Sequence, residues 1–194
     1  TPALASAPVR LPLGPQDGYW FYLPVQPGQE VRVTVPGGIR QGTPQRVNPD
    51  FTVRMAGKVI EFCGGSVAGL TIGILGLTFK PNTDDMRDAP SLDIVPALLQ
   101  AGAKIVAFDP EGMSEAGKLL QGITFAKTAY EAIAGADVMV VITEWHEFRG
   151  LDPRRIKELM RQPRIVDLRN IFNPEEMRGL GFIYEGVGRP GPRS

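Results

Sequence analysis

The sequence predicts an α/β fold, a doubly wound parallel sheet, over residues 66–190. Three observations lead to it. Short apolar runs alternate there with stretches of helical periodicity. The runs are apolar at successive positions rather than at every second one, the pattern of strands covered on both faces. Gly, Pro, Asn and Asp punctuate the junctions.

The elements follow in order. Leu70 to Phe79 is the first strand, and a polar loop, Lys80 to Asp88, carries it to a helix entered at Pro90–Ser91. That helix runs from Ser91 to Ala101 with Leu92, Val95 and Leu98 or Leu99 inward. Pro96 should kink it, and Gly102 should end it. Lys104 to Pro110 is the second strand, and Glu111 to Leu120 the next helix. Ile123 to Ala126 is a short strand and Thr128 to Ile133 a short helix. Asp137 to Thr143 is the most apolar strand, followed by a helix from Asp152 to Met160. Arg164 to Asn170 is a strand, Pro174 to Arg178 a helical turn, and Phe182 to Gly188 the last strand. The tail RPGPRS reads as disordered.

Two segments precede this domain. Asn48 to Cys63 reads as a helix, with Phe51, Met55, Val59 and Phe62 at helical spacing and Gly64–Gly65 as its stop. Residues 1–47 hold eight of the 18 prolines. Tyr19–Val25 and Glu30–Val35 read there as strands, with Pro27–Gly28 as the turn of a β-hairpin. The predicted organisation is a Pro/Gly-rich extension of unknown role over 1–47, a helix over 48–64, the α/β domain over 65–190 and a disordered tail over 191–194.

Composition narrows the function. Basic and acidic residues balance at 21 each. A zero net charge removes the global electrostatic argument for nucleic acid or an anionic membrane as partner. One cysteine, Cys63, excludes an internal disulfide and a multi-cysteine metal site. No apolar run reaches the roughly 18 residues a membrane span requires, and no signal peptide is visible, so a cytoplasmic location is expected.

The chemistry concentrates at the carboxyl edge of the predicted sheet. A strand feeding a helix through a polar loop is where α/β proteins hold ligands, and free amides at the helix start favour an anion. Lys80 and Arg87 flank that loop and together suit a diphosphate. Equally, they could pair with Asp84, Asp85 and Asp88. Arg169 and Asn170 close a strand at the same edge. Trp145 either stacks on a ligand ring or packs in the core, and His146 beside it has no carboxylate partner that spacing can place. Gly73 and Gly76 form G-x-x-G, not the G-x-G-x-x-G of a tight dinucleotide turn, and read as close-packing glycines. Asp109 sits where a ribose-binding acid would. It lies 33 positions past Gly76 rather than about 20, so it reads as a loop cap before Pro110. Nothing beside Cys63 suggests an activated thiol.

The motifs GLTFKPNTDDMRDAPS, AFDPEGM, VVITEWHEF, VDLRNIFNPEEMR and GFIYEGVGR occur in that order. Together they resemble the carboxyl-terminal, UDP-binding domain of the UDP-glucose/GDP-mannose dehydrogenase family, from about Asn48 to Arg189. VRMAGKVIEFCGG resembles the end of the helix that joins that family's halves. The resemblance implies a Rossmann-like domain that binds UDP-glucose or a related UDP-sugar, in an oxidoreductase of nucleotide-sugar metabolism and polysaccharide biosynthesis. The family oxidises the sugar C6 alcohol to a carboxylate with two NAD per turnover. It further implies that Phe79, Lys80 and Arg169 contact UDP and that Arg87 reaches toward the NAD cofactor. The family's G-x-G-x-x-G domain and its catalytic cysteine motif have no counterpart in these residues, so no catalytic residue and no metal ligand is assigned. The expectation is a fragment, a degenerate product or one piece of a split enzyme with a separate catalytic half, inactive alone. The alternative is a non-enzymatic nucleotide-binding or protein-interaction module.

Overall fold

The computed structural model describes residues 48–188, together with short strands at 8–10, 21–22, 31–35, 38–42 and 45–46. The tail at 191–194 lies outside the described residues. Two compact units divide the chain, residues 1–52 and 53–194.

In the first unit β1 (Pro8–Arg10) pairs antiparallel with β2 (Phe21–Tyr22) on one side and β5 (Gln45–Arg46) on the other. β3 (Val31–Val35) pairs antiparallel with β4 (Gly38–Gly42), Val35 opposite Gly38. The hairpin therefore differs from the expected one. Its second arm is GIRQG, weak in β propensity and so not legible as a strand. Two residues separate the paired ends, which is the shortest antiparallel connection and the cheapest loop to close.

The second unit begins in α1 (Asn48–Phe62), which ends at Gly64–Gly65, both at positive φ. α1 buries Met55, Ala56 and Val59, and Lys58 forms an ion pair with Glu185 of the last strand. β6 (Thr71–Leu75), α2 (Ser91–Gln100), β7 (Lys104–Phe108), α3 (Met113–Leu119), β8 (Thr124–Phe125) and α4 (Ala129–Ile133) follow. β9 (Val138–Val141), α5 (His146–Arg149), α6 (Pro153–Leu159), β10 (Arg164–Asp167), α7 (Pro174–Gly179) and β11 (Ile183–Gly186) complete the unit. The six strands form one sheet in the order β11-β10-β9-β6-β7-β8, every pair parallel. Counted from β6 this is 3-2-1-4-5-6, the doubly wound nucleotide-binding order, and its direction reverses between β6 and β9. The predicted Rossmann-like parallel sheet is the fold observed.

β9 is buried at all four positions, which is why it reads as a continuous apolar run. On one face Leu75, Met139, Val141 and Ile165 form a core with Ile133 of α4, Ile156 of α6, Met177 of α7 and Phe148. Alternation turns Ile72, Ile74, Val138 and Val140 to the other face. α2, which packs on β7, buries Ile94, Val95 and Leu98 outside that cluster. Gly73 is required by close approach: a Cβ there would stand 2.7 Å from the Ala132 carbonyl oxygen of α4. Among the described residues no helix is long and apolar enough to cross a membrane.

Candidate functional site

The switch point places the ends of β6 and β9 side by side at the carboxyl edge, the crevice where open α/β sheets hold ligands. β6 leaves its ladder one residue after Leu75. Gly76 donates its N–H to Phe108 O at 2.8 Å and turns at φ 87°. A Cβ on Gly76 would lie 2.5 Å from the Thr143 Cβ, so the end of β9 can approach only a glycine.

The next two residues remain buried although no strand pairs with them, because side chains replace the ladder. Asp109, fully buried at the end of β7, accepts the N–H of Leu77 at 2.7 Å and of Thr78 at 3.1 Å. Thr143 Oγ1 donates to Thr78 O at 2.6 Å, and Ser91 Oγ donates to Leu77 O. Phe79 and Lys80 then emerge; the Phe79 side chain is 45% exposed, unusual for a large apolar residue. Phe79 N–H donates to Asp85 O at 2.9 Å and closes the loop. Asn82 and Asp88 take its positive φ values, 61° and 55°, as their short polar side chains allow.

Lys80 and Arg87 both act on this loop's Asp85. Arg87 grips the carboxylate with two charge-assisted bonds, Nε at 2.9 Å and Nη2 at 2.7 Å. That grip, with the charge of Lys80 adding, lowers the Asp85 pKa to about 2 and raises that of Arg87. The Arg87 side chain is nonetheless 88% exposed, and three of its five N–H groups are left over for a ligand. Lys80 makes no ion pair among the described residues. Of the two alternatives, Arg87 shows the pairing with Asp85, and its guanidinium still faces solvent. An open cleft of about 500 Å³ lies between residues 83–87 of this loop, Leu92 of α2, and Glu115 and Leu119 of α3.

Arg169 belongs to a different cluster. Its Nε donates to Glu144 at the end of β9, and its backbone N–H to Asp167 Oδ1 at 3.1 Å. Burial would raise the Glu144 pKa, but the hydrogen bond and charge of Arg169 outweigh it and the net shift is downward. Arg169 is about one-third exposed. In the sheet β9 lies between β6 and β10, so Lys80 and Arg169 follow strands on opposite sides of β9.

A family profile described as UDP-glucose/GDP-mannose dehydrogenase family, UDP binding domain, matches residues 73–174. The matched range holds the whole β6–α2 loop and every cation just described. The chain belongs to the UDP-glucose/GDP-mannose dehydrogenase family. It is 51% identical over 144 residues to the UDP-glucose 6-dehydrogenase of Rhizobium meliloti (strain 1021), covering 74% of this chain and 33% of that one. Against the UDP-glucose 6-dehydrogenase TuaD of Bacillus subtilis (strain 168) the identity is 44% over 130 residues, 66% of this chain and 28% of that one. Among solved structures, the NDP-N-acetyl-D-galactosaminuronic acid dehydrogenase of Methanosarcina mazei Go1 aligns with a TM-score of 0.61 at 28% identity, covering 74% of this chain and 30% of that one. A UDP-glucose dehydrogenase of Pyrobaculum islandicum aligns with a TM-score of 0.58 at 27% identity, covering 73% and 30%. The chain spans about a third of the length of the curated relatives it matches.

Several expectations change in this family member. The start of α2 is not an open anion site: the N–H groups of Leu92, Asp93 and Ile94 already donate to the carbonyls of Ala89 and Pro90. Trp145 is buried, with its indole N–H on Asp109 at 3.1 Å, so it is not a stacking surface. Asp109 is the loop cap expected of it, and both its oxygens are occupied by protein donors. With no G-x-G-x-x-G turn and no acid left for a ribose, the β6–α2 crossover does not fit a dinucleotide held in the usual manner. Burial raises the Cys63 thiol, which opposes a role as thiolate nucleophile. Among the described residues no group of three His, Cys, Asp or Glu could hold a metal ion.

Sequence reading missed two features. Glu144 was not recognised as the partner of Arg169, because 25 positions separate them. Asp167 is a second buried strand-end cap, accepting from Arg169 and Phe172 N–H and from the Tyr184 hydroxyl at 2.8 Å. Its signal was present: like Asp109, it is an acid at the carboxyl end of an apolar run.

Proposed function

We propose that residues 65–190 are the UDP-sugar-binding domain of a nucleotide-sugar 6-dehydrogenase, in which UDP-glucose is oxidised to UDP-glucuronate for polysaccharide biosynthesis. The observation that carries this reading is the Phe79–Lys80 step. A buried, side-chain-tied strand end delivers an exposed aromatic and an ammonium that makes no ion pair among the described residues to the switch-point edge. In this reading Lys80 neutralises the diphosphate, Phe79 contacts the nucleoside, and Arg169 contacts the sugar nucleotide from the β10 side. Its partner Glu144 keeps the Arg169 guanidinium oriented. Arg87, exposed and steadied by Asp85, reaches toward NAD held outside this domain.

The oxidation itself is assigned elsewhere. It requires a thiolate to trap the aldehyde before the second hydride leaves, and Cys63 is not such a group. NAD, when bound, is the hydride acceptor, and the described residues do not supply its fold. We therefore read α1 as the end of the helix that joins the two halves of the family's enzymes, and these 194 residues as binding without turnover. A cytoplasmic location belongs to the same proposal.

The test uses isotope-labelled protein. UDP-glucose should shift the amide resonances of Phe79, Lys80 and Arg169, and the same sample with NAD added should produce no NADH. Shifts confined to other regions would overturn the site, and NADH formation would overturn the separation of binding from catalysis.

A further inference from the structure

The carboxylate that a nucleotide-binding sheet normally turns toward a ribose is here turned inward. Asp109 Oδ2 accepts four donors: Leu77 N–H at 2.7 Å, Thr78 N–H at 3.1 Å, Thr78 Oγ1 at 3.1 Å and Trp145 Nε1 at 3.1 Å. Oδ1 accepts the N–H groups of Glu111 at 3.1 Å and Gly112 at 2.7 Å. One side chain thus joins the ends of β6, β7 and β9. The carbonyls of the same two residues, Leu77 and Thr78, are held by Ser91 and Thr143. All four backbone polar groups of the Leu77–Thr78 pair are therefore bonded to side chains from other elements. A core of this density specifies one arrangement, since any other would strand a buried polar group. Phe79 and Lys80 are the next two residues of the chain.

We propose that Asp109, with Thr143, is a positioning residue for the ligand-binding step: it fixes where Phe79 and Lys80 leave the core, and Trp145 reports its state. The inference rests on the reading that Phe79 and Lys80 contact UDP. Asp109 itself touches no ligand. Asparagine at 109 keeps the shape but presents an N–H₂ group to one set of donors, so one face of the junction must lose its acceptor. The Phe79–Lys80 step then samples several positions, and the ammonium meets the diphosphate in only a fraction of them.

A general loss of stability and a loss of positioning differ in how they combine with a Lys80 substitution. Mutations that act independently add, whereas a residue acting through Lys80 has little left to lose once Lys80 is gone. The experiment is a UDP titration of the full 194-residue chain as wild type, Asp109→Asn, Lys80→Ala and the double variant. Asp109→Asn should weaken UDP binding about tenfold, the order expected for hydrogen bonds to a charged group. In the Lys80→Ala background the same change should cost less than about threefold. Trp20 and Trp145 are the chain's two tryptophans, so in a Trp20→Phe background the ligand-free emission of Trp145, whose indole N–H is held by Asp109, should shift in Asp109→Asn. If Asp109→Asn does not fold, Thr143→Val, which removes only the bond to Thr78 O, runs through the same cycle with the same non-additive result expected. Wild-type binding that Lys80→Ala weakens, with additive costs or with an unchanged affinity in Asp109→Asn or Thr143→Val, overturns this inference alone. No UDP binding by the wild type overturns the functional reading on which it rests.

Discussion

Replacing Lys80 with alanine is expected to weaken UDP binding by about ten- to 150-fold, equivalent to about 1.5–3 kcal/mol for the loss of a hydrogen bond to a charged group. The size follows from the position. Lys80 is exposed and makes no ion pair among the described residues, so its ammonium is not already committed, as the guanidinium of Arg87 is to Asp85 and that of Arg169 to Glu144. The same exposure means that the substitution should leave folding stability within about 0.5 kcal/mol of wild type. Calorimetric titration together with a thermal melt separates the two effects. An unchanged UDP affinity at unchanged stability would remove Lys80 from the site.

Gly76→Ala is expected to be the most damaging small substitution in the domain, at about 2–5 kcal/mol. Two terms contribute. A left-handed backbone costs a residue with a Cβ roughly 1–2 kcal/mol. The new methyl would also stand 2.5 Å from the Thr143 Cβ and 2.7 Å from the Thr143 N, and overpacking of this kind costs about 1–3 kcal/mol. Thr143 cannot retreat without releasing Thr78 O, so the strain should spread into the junction that aims Phe79 and Lys80. Gly135 supplies the control, since it shares a positive φ, 69°, but has open space where a Cβ would go. Gly135→Ala should show the backbone term alone, and the melting temperature of Gly76→Ala should fall clearly below it. Equal losses at the two positions would contradict the close approach of β6 and β9.

The fold was legible where burial on both faces removes alternation. Val138–Val141 and Ile72–Leu75 read as core strands because every position in them is buried, with helices packed over the sheet. The strand ends were overrun for a physical reason: Leu77 and Thr78 are as buried as a strand, yet they are held by Asp109, Ser91 and Thr143 rather than by a neighbouring chain. Apolar composition cannot distinguish the two. α5, His146–Arg149, was missed because four residues carry no helical period. At the site, Lys80 and Arg87 could be placed on the loop that follows β6, and the cap role of Asp109 was readable from its place at a strand end. The pairing of Arg169 with Glu144 was not, because it joins residues that only the β9–β10 pairing brings together. The burial of Trp145 was not readable either, because its partner Asp109 lies 36 positions away.

The measurement that bears most directly on the central claim is a pair of calorimetric titrations of the 194-residue chain, one with UDP and one with NAD. The account predicts saturable binding of UDP. It predicts far weaker binding of NAD, because the β6–α2 crossover lacks the glycine turn and Asp109 is committed to the protein. No heat from UDP at millimolar concentration, or NAD bound more tightly than UDP, would contradict it.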